Sequence, residues 1–299
     1  MRNIRAASVQ FQHAPGDKAA NLDKIQAFVT QAAAQGVELL AFPEMCITGY
    51  WHVRKLSREE VEALAEPIPS GPSLLPIAYE CARARAYAVV GMLERDGDRL
   101  FNACVLVGRG GVLGSYRKVH LPYLGVDRFA DPGDRPFAVH DAGGLRVGMH
   151  ICYDGSFPEV GRVLSLLGAD ILVLPTNWPR HAECAAEHMM ICRAMENHVY
   201  AMAVNRVGEE AGFRFIGRSS IVAPGGEPLA TAGAGEETIL YAPVLPARAR
   251  NKRLIRVPGL HEIDRMADRR PAFYAPIVAP IDRGRGLRSS KSAKSILWR

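Results

Sequence analysis

The sequence predicts an α/β fold in which helices flank a mixed β-sheet or a pair of sheets. Two observations carry this prediction. Short apolar runs typical of buried strands alternate with segments of helical period, and Gly-rich turns join neighbouring runs. No internal repeat at solenoid spacing is present, so we expect a single α/β domain with an appended segment.

The first half of the chain opens with a β-α-β unit. A strand is predicted over residues 4–11, a helix over 21–34 and a buried strand over 37–42. Two strands joined through a helix are expected to be parallel. The elements that follow are helices over 59–64 and 73–85, a strand over 86–93, and a hairpin of strands over 102–107 and 112–119.

The second half continues this alternation and ends in a basic extension. Its predicted elements are strands over 145–152, 171–174, 199–204, 213–222 and 238–244, and helices over 158–167 and 181–197. We divide the chain into a domain over 1–245 and a C-terminal extension over 246–299. In the extension, Pro-rich residues 271–280 predict an extended segment, and residues 282–299 predict a disordered basic tail.

Composition excludes several classes of protein. With 48% hydrophobic and 23% charged residues among 299, the chain is not disordered throughout. No apolar run approaches the ~18 residues of a membrane-spanning helix, and no membrane partner is expected. The net charge of +6 lies mostly in residues 282–299, so a basic groove for nucleic acid is not indicated. Six cysteines without an export signal predict thiols in a reducing cytoplasm.

Three residues near strand ends could carry chemistry. Cys152 closes a strand where a thiol can project into a cleft and act as a nucleophile. Glu44 follows an apolar strand, and partial burial would raise its pKa towards that of a general base. Lys118 neighbours Arg117, so one of the two cations faces the core and needs an anionic partner. Taken singly, each also fits a structural role: a buried thiol, a capping carboxylate and an edge lysine.

These residues lie within strings that resemble a known family. The nitrilase superfamily of carbon–nitrogen hydrolases has three signature blocks in the order Glu, Lys, Cys. The chain carries similar strings at Phe42-Pro43-Glu44, at Tyr116-Arg117-Lys118-Val119-His120-Leu121, and at Ile151-Cys152-Tyr153-Asp154 followed by Phe157-Pro158-Glu159. Further matches lie at 193–197, 205–208 and 215–220. The resemblance extends over residues 4–245.

The resemblance implies a four-layer α-β-β-α sandwich and a reaction without metal or organic cofactor. It implies that Cys152 attacks a carbonyl carbon to form a thioester. Glu44 would take the thiol proton and later activate water. Lys118 and the backbone N–H of Tyr153 would stabilise the oxyanion.

The resemblance also implies a homodimer or higher homo-oligomer built from helices beside the active site. We predict that the helix over 181–197 makes this contact, because Met189, Met190 and Cys192 offer apolar surface beyond one core-facing stripe. We expect the arm from residue 246 onwards to cross to the partner subunit.

The segment after the Lys block departs from the family pattern. Amidase-type members commonly carry a second glutamate there, and residues 122–134 contain none. Asp127 is the nearest candidate for a substrate-positioning acid. Tyr50 and Trp178, just after strand ends, are candidates to line the substrate pocket, although lone aromatic residues more often belong to the core.

One apparent metal motif is set aside on geometry. Cys184, His188 and Cys192 recur every four residues on a predicted helix. Eight residues of helix rise about 12 Å, which is too far for ligands of one ion. No metal site is therefore predicted.

The predicted activity is thiol-dependent hydrolysis of a non-peptide C–N bond, first of all in a small-molecule amide. Hydrolysis of N-carbamoyl amines or amino acids and of nitriles stays open, since the family contains both. Cys152-Tyr153-Asp154 is similar to the amidase and carbamoylase branches, whereas typical nitrilases carry Cys-Trp-Glu there. Arg162 and Arg180 remain candidates to bind a substrate carboxylate. A non-catalytic binding protein on the same scaffold is the alternative from a different class.

Overall fold

The computed structural model describes residues 2–280. Within them lie sixteen strands: β1 (Ile4–Gln10), β2 (Leu39–Ala41), β3 (Tyr87–Asp96), β4 (Arg99–Gly108), β5 (Gly111–Arg117), β6 (Val139–Ala142), β7 (Leu145–Met149), β8 (Ile171–Thr176), β9 (Tyr200–Asn205), β10 (Glu209–Glu210), β11 (Phe213–Arg214), β12 (Ser220–Val222), β13 (Pro228–Thr231), β14 (Thr238–Val244), β15 (Arg253–Val257) and β16 (His261–Asp264). Seven helices lie in the same residues: α1 (Lys18–Ala33), α2 (Arg58–Leu64), α3 (Leu74–Ala84), α4 (Pro158–Leu166), α5 (Glu183–Asn197), α6 (Pro246–Arg250) and α7 (Ala275–Val278). Residues 282–299, where we predict a disordered tail, lie outside the described residues.

Most strands belong to two six-stranded sheets. The first sheet has the order β14-β1-β2-β3-β4-β5, and the second has the order β13-β12-β9-β8-β7-β6. Strands β1, β2 and β3 run parallel, as do β7, β8 and β9. The parallel neighbours are joined through helices, and hairpin turns join antiparallel neighbours such as β3, β4 and β5. The predicted β-α-β unit at the start of the chain is confirmed.

Strand β4 shows how the layers form. Cys104 and Leu106 face the apolar cluster that the first sheet shares with the second, whereas Val105 and Val107 face the cluster beneath α1 and α3. Alternation sends successive side chains to opposite faces, and a strand buried on both faces reads as one apolar run. Helices α4 and α5 pack on the second sheet through Val160, Leu164, Met190 and Ala194. The order helix, sheet, sheet, helix confirms the predicted four-layer sandwich.

The described part of the chain divides into two compact units, with the boundary between residues 251 and 252. Helix α6 belongs to the first unit, where Arg250 pairs with Asp170 at 2.7 Å. The boundary that we placed after residue 245 therefore precedes a helix that the first unit contains. In the second unit, the described part contains the β15–β16 hairpin and α7, neither of which the sequence pattern predicted.

Two predicted segments are wrong. The strand over 213–222 is interrupted, because Gly217 and Arg218 have φ of 57° and 58°, and two left-handed residues in succession end a strand. Residues 271–280 are not extended: a 3-10 turn at Pro271–Phe273 leads into α7. Proline at the first positions of a helical turn is tolerated, since the N–H that it lacks would have no partner there.

Helix α5 starts two residues later than predicted, and its surface differs from the expectation. Met190 is buried in the core, Met189 packs partly against it, and Cys192 is exposed. A subunit contact along α5 stays a prediction. No helix within residues 2–280 is long and apolar enough to cross a membrane.

Candidate active site

Three strands end close to one another and bring together Glu44, Lys118 and Cys152. Glu44 lies in the loop after β2, Lys118 directly follows β5, and Cys152 begins a 3-10 turn after β7. Gly91 in β3 makes room for the first of these loops: a Cβ there would lie 2.4 Å from the backbone nitrogen of Met45. Only glycine permits so close an approach of two backbones, and this contact fixes the course of the chain at Glu44.

The nucleophile candidate occupies a strained elbow. Cys152 has a φ of 47° and is 6% exposed. A non-glycine residue in this region costs on the order of 1–3 kcal/mol and persists where its surroundings enforce it. A positive φ at a strand-to-helix junction thus presents the thiol at the edge of the second sheet, as the sequence predicted for a residue at that position.

The Asp154 carboxylate is what enforces the elbow. It is fully buried and accepts hydrogen bonds from the backbone N–H of Ile151 at 3.0 Å, the backbone N–H of His120 at 2.9 Å and the Tyr116 hydroxyl at 2.9 Å. The His120 ring contacts the same carboxylate at 2.8 Å through Nδ1. Because Tyr116 and His120 flank Lys118 in the chain, Asp154 joins the thiol loop to the lysine segment.

Lys118 is fully buried between two carboxylates. Its Nζ donates to Glu44 Oε1 at 2.8 Å and to Asp127 Oδ2 at 2.6 Å. The side-chain amide of Asn102 donates to the same two carboxylates, at 2.7 Å and 2.8 Å. Tyr116 and Lys118 share one face of the strand, and Arg117 points to the other, as alternation requires. The lysine therefore has the anionic partners that a buried ammonium needs.

The charges of this cluster set the protonation states of the site. Burial raises the pKa of Glu44, and the nearby Asp127 charge adds to this against the opposing charge of Lys118. Burial alone would lower the pKa of Lys118, but Asp127 and Glu44 raise it well above its ordinary value. Burial and the Glu44 charge raise the pKa of the Cys152 thiol to about 12, although Lys118 opposes them. At neutral pH, the thiol is therefore protonated and needs a base.

Glu44 has the free oxygen that a base requires. Its Oε1 accepts from both Lys118 and Asn102, whereas its Oε2 has no hydrogen-bond partner among the described residues. The side-chain amide of Asn177, just past β8, donates to the backbone carbonyl of Glu44 at 2.9 Å. The backbone of Glu44 and one of its carboxylate oxygens are thus held in place, and the other oxygen is left to take a proton.

The structure places the residues predicted to bind substrate in different surroundings, and their contact with a substrate stays a prediction. Asp127 lies in the cluster, with both oxygens engaged by Lys118, Asn102 and Tyr50, so it contacts Lys118 rather than standing free for a substrate. The Tyr50 ring is buried and its hydroxyl donates to Asp127 at 2.9 Å. Trp178 is buried beside the Asn205 amide oxygen, which accepts its backbone N–H at 2.8 Å. The Tyr153 side chain is 41% exposed.

Sequence reasoning missed three polar residues that complete this region: Asn102, Asp154 in its anchoring role, and Glu210. Asn102 had a usable signal, because it stands as a lone polar residue in the apolar run 101–107, on the same face as Cys104. Glu210 had none, since residues 50–52, which it holds through their backbone N–H groups, lie about 160 positions earlier in the chain. Among residues 2–280, no group of three or more His, Cys, Asp or Glu side chains is arranged to hold a metal ion.

A cleft of about 390 Å³ begins beyond the end of β8. Its lining residues come from the loop after Trp178 and from the β10–β11 hairpin: Pro179, Arg180, His181, Glu209, Gly212, Phe213 and Arg214. Arg180, one of the two residues suggested for carboxylate binding, lies here. The other, Arg162, donates to the backbone carbonyl of Glu196 at 2.9 Å on helix α5.

Comparison with known proteins identifies the class. A model of the carbon–nitrogen hydrolase family matches residues 5–253, and the chain belongs to this family, the nitrilase superfamily of hydrolases. A nitrilase from Pyrococcus abyssi is 38% identical over 271 residues, covering 91% of this chain and 99% of that protein. An omega-amidase from Homo sapiens is 32% identical over 262 residues, covering 82% of this chain and 89% of that protein.

A solved structure gives the same result. A double mutant of the amidase from Nesterenkonia sp. AN1, in complex with acrylamide, matches with a TM-score of 0.76 and 25% sequence identity, over 92% of this chain and 97% of that one. The fold and the family are thus shown independently of the site geometry.

Proposed function

We propose that the chain hydrolyses small-molecule amides to a carboxylic acid and ammonia through a thioester on Cys152. The observation that carries this proposal is the buried Glu44–Lys118 pair together with the Cys152 thiol at a strained elbow, where the charges of both residues act on the pKa of the thiol. A base with a raised pKa, a thiol and a fixed cation are the three parts that acyl transfer needs.

The first step forms the thioester. Glu44 Oε2 takes the proton of the Cys152 thiol while the sulfur bonds to the amide carbon, and the carbonyl oxygen becomes an oxyanion. An ammonium carries three N–H donors, and Lys118 gives two of them to Glu44 and Asp127. The third, with the backbone N–H of Tyr153, can stabilise the oxyanion. The C–N bond then breaks, and protonated Glu44 gives its proton to the leaving nitrogen.

The second step regenerates the enzyme. Ionised Glu44 takes a proton from water as the water oxygen attacks the thioester carbon. The C–S bond breaks, the acid leaves, and the proton on Glu44 returns to the sulfur. One carboxylate therefore alternates between base and acid, and the raised pKa of Glu44 supports this, since it makes protonation of the carboxylate easier than for an ordinary glutamate.

The comparisons support an amide as the substrate without fixing which one. The Nesterenkonia protein is described as an amidase, and one of its variants carries the acetamide moiety of fluoroacetamide on the active-site cysteine. The relative from Homo sapiens is an omega-amidase. Arg180, which lines the cleft after β8, stays a candidate to bind the carboxylate of an amide that bears one at its far end.

A nitrile is the second candidate, because the Pyrococcus abyssi relative at 38% identity is named a nitrilase. Nitrile hydrolysis to the acid uses the same thioester but needs one more water molecule. A carbamoyl substrate is tested alongside, since a relative from Francisella tularensis, 30% identical over 295 residues, is a citrullinase.

The deciding experiment is turnover on a matched panel. Simple aliphatic amides, a dicarboxylate monoamide, the corresponding nitriles and a ureido acid are incubated with the enzyme, and ammonia and acid are measured by mass spectrometry. We expect amides to be turned over fastest and Cys152→Ala to turn over none of them. Faster turnover of nitriles or ureido acids would replace the amide proposal, and no turnover at all would favour the binding-protein alternative.

A further inference from the structure

Glu210, on the β10–β11 hairpin, holds a loop that leads into the active site. It is 1% exposed. Its Oε1 accepts the backbone N–H groups of three successive residues: Tyr50 at 3.0 Å, Trp51 at 2.9 Å and His52 at 2.9 Å. The His52 ring contacts the same oxygen at 2.7 Å through Nδ1. A carboxylate bound by three consecutive N–H groups fixes the backbone of residues 50–52 at one point.

The carboxylate is itself anchored. Arg206, fully buried, is paired with Glu210 Oε2 and also donates to the backbone carbonyl of His13 at 3.2 Å. On the same hairpin, the Phe213 ring stacks on the Trp51 ring with centroids 3.8 Å apart and planes at 15°. The hairpin therefore holds residues 50–52 in place through the Glu210 carboxylate and through the Phe213 ring. Neither contact belongs to the catalytic cluster.

Tyr50 carries this constraint into the cluster. Its hydroxyl donates to Asp127 Oδ2 at 2.9 Å, the same oxygen that accepts from Lys118 at 2.6 Å. The Tyr50 ring lies against Gly125, where a Cβ would be 2.5 Å from the ring. Gly125 begins the 3-10 turn that contains Asp127. Both ends of the tyrosine are thus fixed, one by Glu210 and the other by the Asp127 turn.

We propose that Glu210 is a positioning residue for Lys118, acting through Tyr50 and Asp127 to aim the third N–H of the ammonium at the reacting oxygen. This inference rests on the proposed hydrolase function for its kinetic test, but the contacts that carry it do not. A lysine side chain has four rotatable bonds, and a single partner would leave its head free to turn. Two fixed carboxylates remove that freedom, and the position of Asp127 depends on Tyr50.

The kinetic test is a double-mutant cycle between Glu210 and Tyr50. Glu210→Gln offers one oxygen where two are needed and places an amide N–H₂ against either Arg206 or the three backbone N–H groups. Tyr50→Phe removes the hydroxyl. We expect each single variant to lower kcat about tenfold or more, with little change in KM, as for loss of one charge-assisted hydrogen bond. The kcat of the double variant should be no lower than that of the less active single variant, because Glu210 and Tyr50 act through the same contacts.

Two further variants protect the test. Glu210→Asp keeps the charge beside Arg206 but is one methylene too short to reach residues 50–52, so it should fold even where Glu210→Gln does not, and it should show the same non-additivity. Asp170→Asn is the matched control. Asp170 is a buried carboxylate with an arginine partner and a backbone N–H donor. It directly precedes β8, whereas Asn177 follows the other end of that strand. We expect it to lose thermal stability with kcat unchanged.

A second readout does not depend on turnover. Iodoacetamide alkylates Cys152 when the thiolate displaces iodide, and peptide mass spectrometry separates this site from the exposed Cys184 and Cys192. The Lys118 charge lowers the pKa of the thiol, so a displaced ammonium should move the alkylation profile to higher pH in both Glu210 variants. Additive kinetic effects, or an alkylation profile identical to wild type, would overturn the inference. If the alkylation profile of both Glu210 variants moves to higher pH but the wild-type enzyme turns over nothing on the panel, only the proposed function is overturned.

Discussion

Arg117 and Lys118 are consecutive cations that serve opposite faces of the same sheet. The Arg117 side chain points outward, where it donates to Glu94 at 2.6 Å, to Asp96 at 2.8 Å and to Asp134 at 2.9 Å. Its guanidinium carbon lies 3.8 Å from the centroid of the Phe101 ring. The Lys118 side chain points inward, into the cluster of Glu44, Asp127 and Asn102. Both are carboxylate–cation clusters, but they differ in what is left unpaired.

The difference explains why one cluster can react and the other is structural. A guanidinium is a rigid fork of donors, and each nitrogen of Arg117 has a carboxylate partner. An ammonium has three donors, and Lys118 gives two to carboxylates, while Glu44 keeps an oxygen without a described partner. In the outward cluster every guanidinium nitrogen is thus bound to a carboxylate, whereas the inward cluster keeps the third ammonium N–H and Glu44 Oε2 available to a substrate.

The largest effect should come from the thiol that the inward cluster serves. Cys152→Ala should abolish turnover, and Cys152→Ser nearly so, because a hydroxyl is far harder to deprotonate than a thiol. Cys104→Ala is the control, since Cys104 is a buried free thiol of the same inner layer and should lower stability but not kcat. The acyl adduct should map to Cys152 by intact and peptide mass; an adduct on another cysteine contradicts the assignment.

Removing Lys118 should affect catalysis, whereas removing Arg117 should affect stability. Lys118→Met should lower kcat by roughly 10²–10³, the usual loss of one oxyanion donor. Arg117→Met should keep kcat within a few-fold of wild type while destabilising the fold by about 3 kcal/mol, since the buried Glu94 loses its hydrogen-bonded cation and keeps, among the described residues, only Arg135 at 3.6 Å. Steady-state kinetics and urea unfolding of both variants measure this. Equal losses of kcat would show that the two faces are not independent.

Sequence alone predicted this pair up to one ambiguity. Alternation required that one of Arg117 and Lys118 face inward, but it did not say which; the resemblance of the surrounding string chose the lysine. The positions of Glu44 and Cys152 at strand ends followed from the same reasoning. Asp127 was selected as a shorter replacement for a glutamate, and the structure shows what a side chain of that length reaches: its carboxylate accepts hydrogen bonds from Lys118, Asn102 and Tyr50.

The rest of the site depends on contacts that no local pattern contains. Glu210 contacts residues about 160 positions earlier in the chain, and Asp154 reaches back to His120. Such pairs follow from the way the two sheets stack, which periodicity does not specify. The strand predicted over 213–222 was wrong for a local reason, because Arg218 adopts a left-handed backbone that its residue type does not favour.

A smaller effect should come from Asp127, which together with Glu44 binds the Lys118 ammonium. Asp127 accepts from three donors, on Lys118, Asn102 and Tyr50. In Asp127→Asn, one oxygen is replaced by an N–H₂ group, so at least one donor must face another donor. We expect kcat/KM to fall about tenfold while Cys152 still reacts with iodoacetamide. Asp134→Asn, which weakens the outward cluster at its exposed side, should leave kcat/KM unchanged; equal losses in the two variants would remove the distinction.

The pH dependence should separate the two clusters with the smallest change to the protein. The pKa of Glu44 is raised above its ordinary 4.5, and only its ionised form is a base. Activity should therefore fall as pH drops through a midpoint above 4.5. The Asp127 charge contributes to raising that pKa, so Asp127→Asn should move the acid limb of kcat/KM to lower pH.

In the outward cluster, the pKa of a carboxyl group is shifted in the opposite direction. Hydrogen bonds from Arg117 and Arg99 lower the pKa of Asp134 from 3.8 to about 2. A depressed carboxyl stabilises the fold above its unfolded pKa, and this contribution is lost as pH falls from 3.8 towards 2. In an acid titration, turnover should thus disappear while far-UV circular dichroism still reports a folded chain, and unfolding should follow at lower pH. Simultaneous loss of activity and fold would mean that Glu44 is not the group that limits turnover in acid.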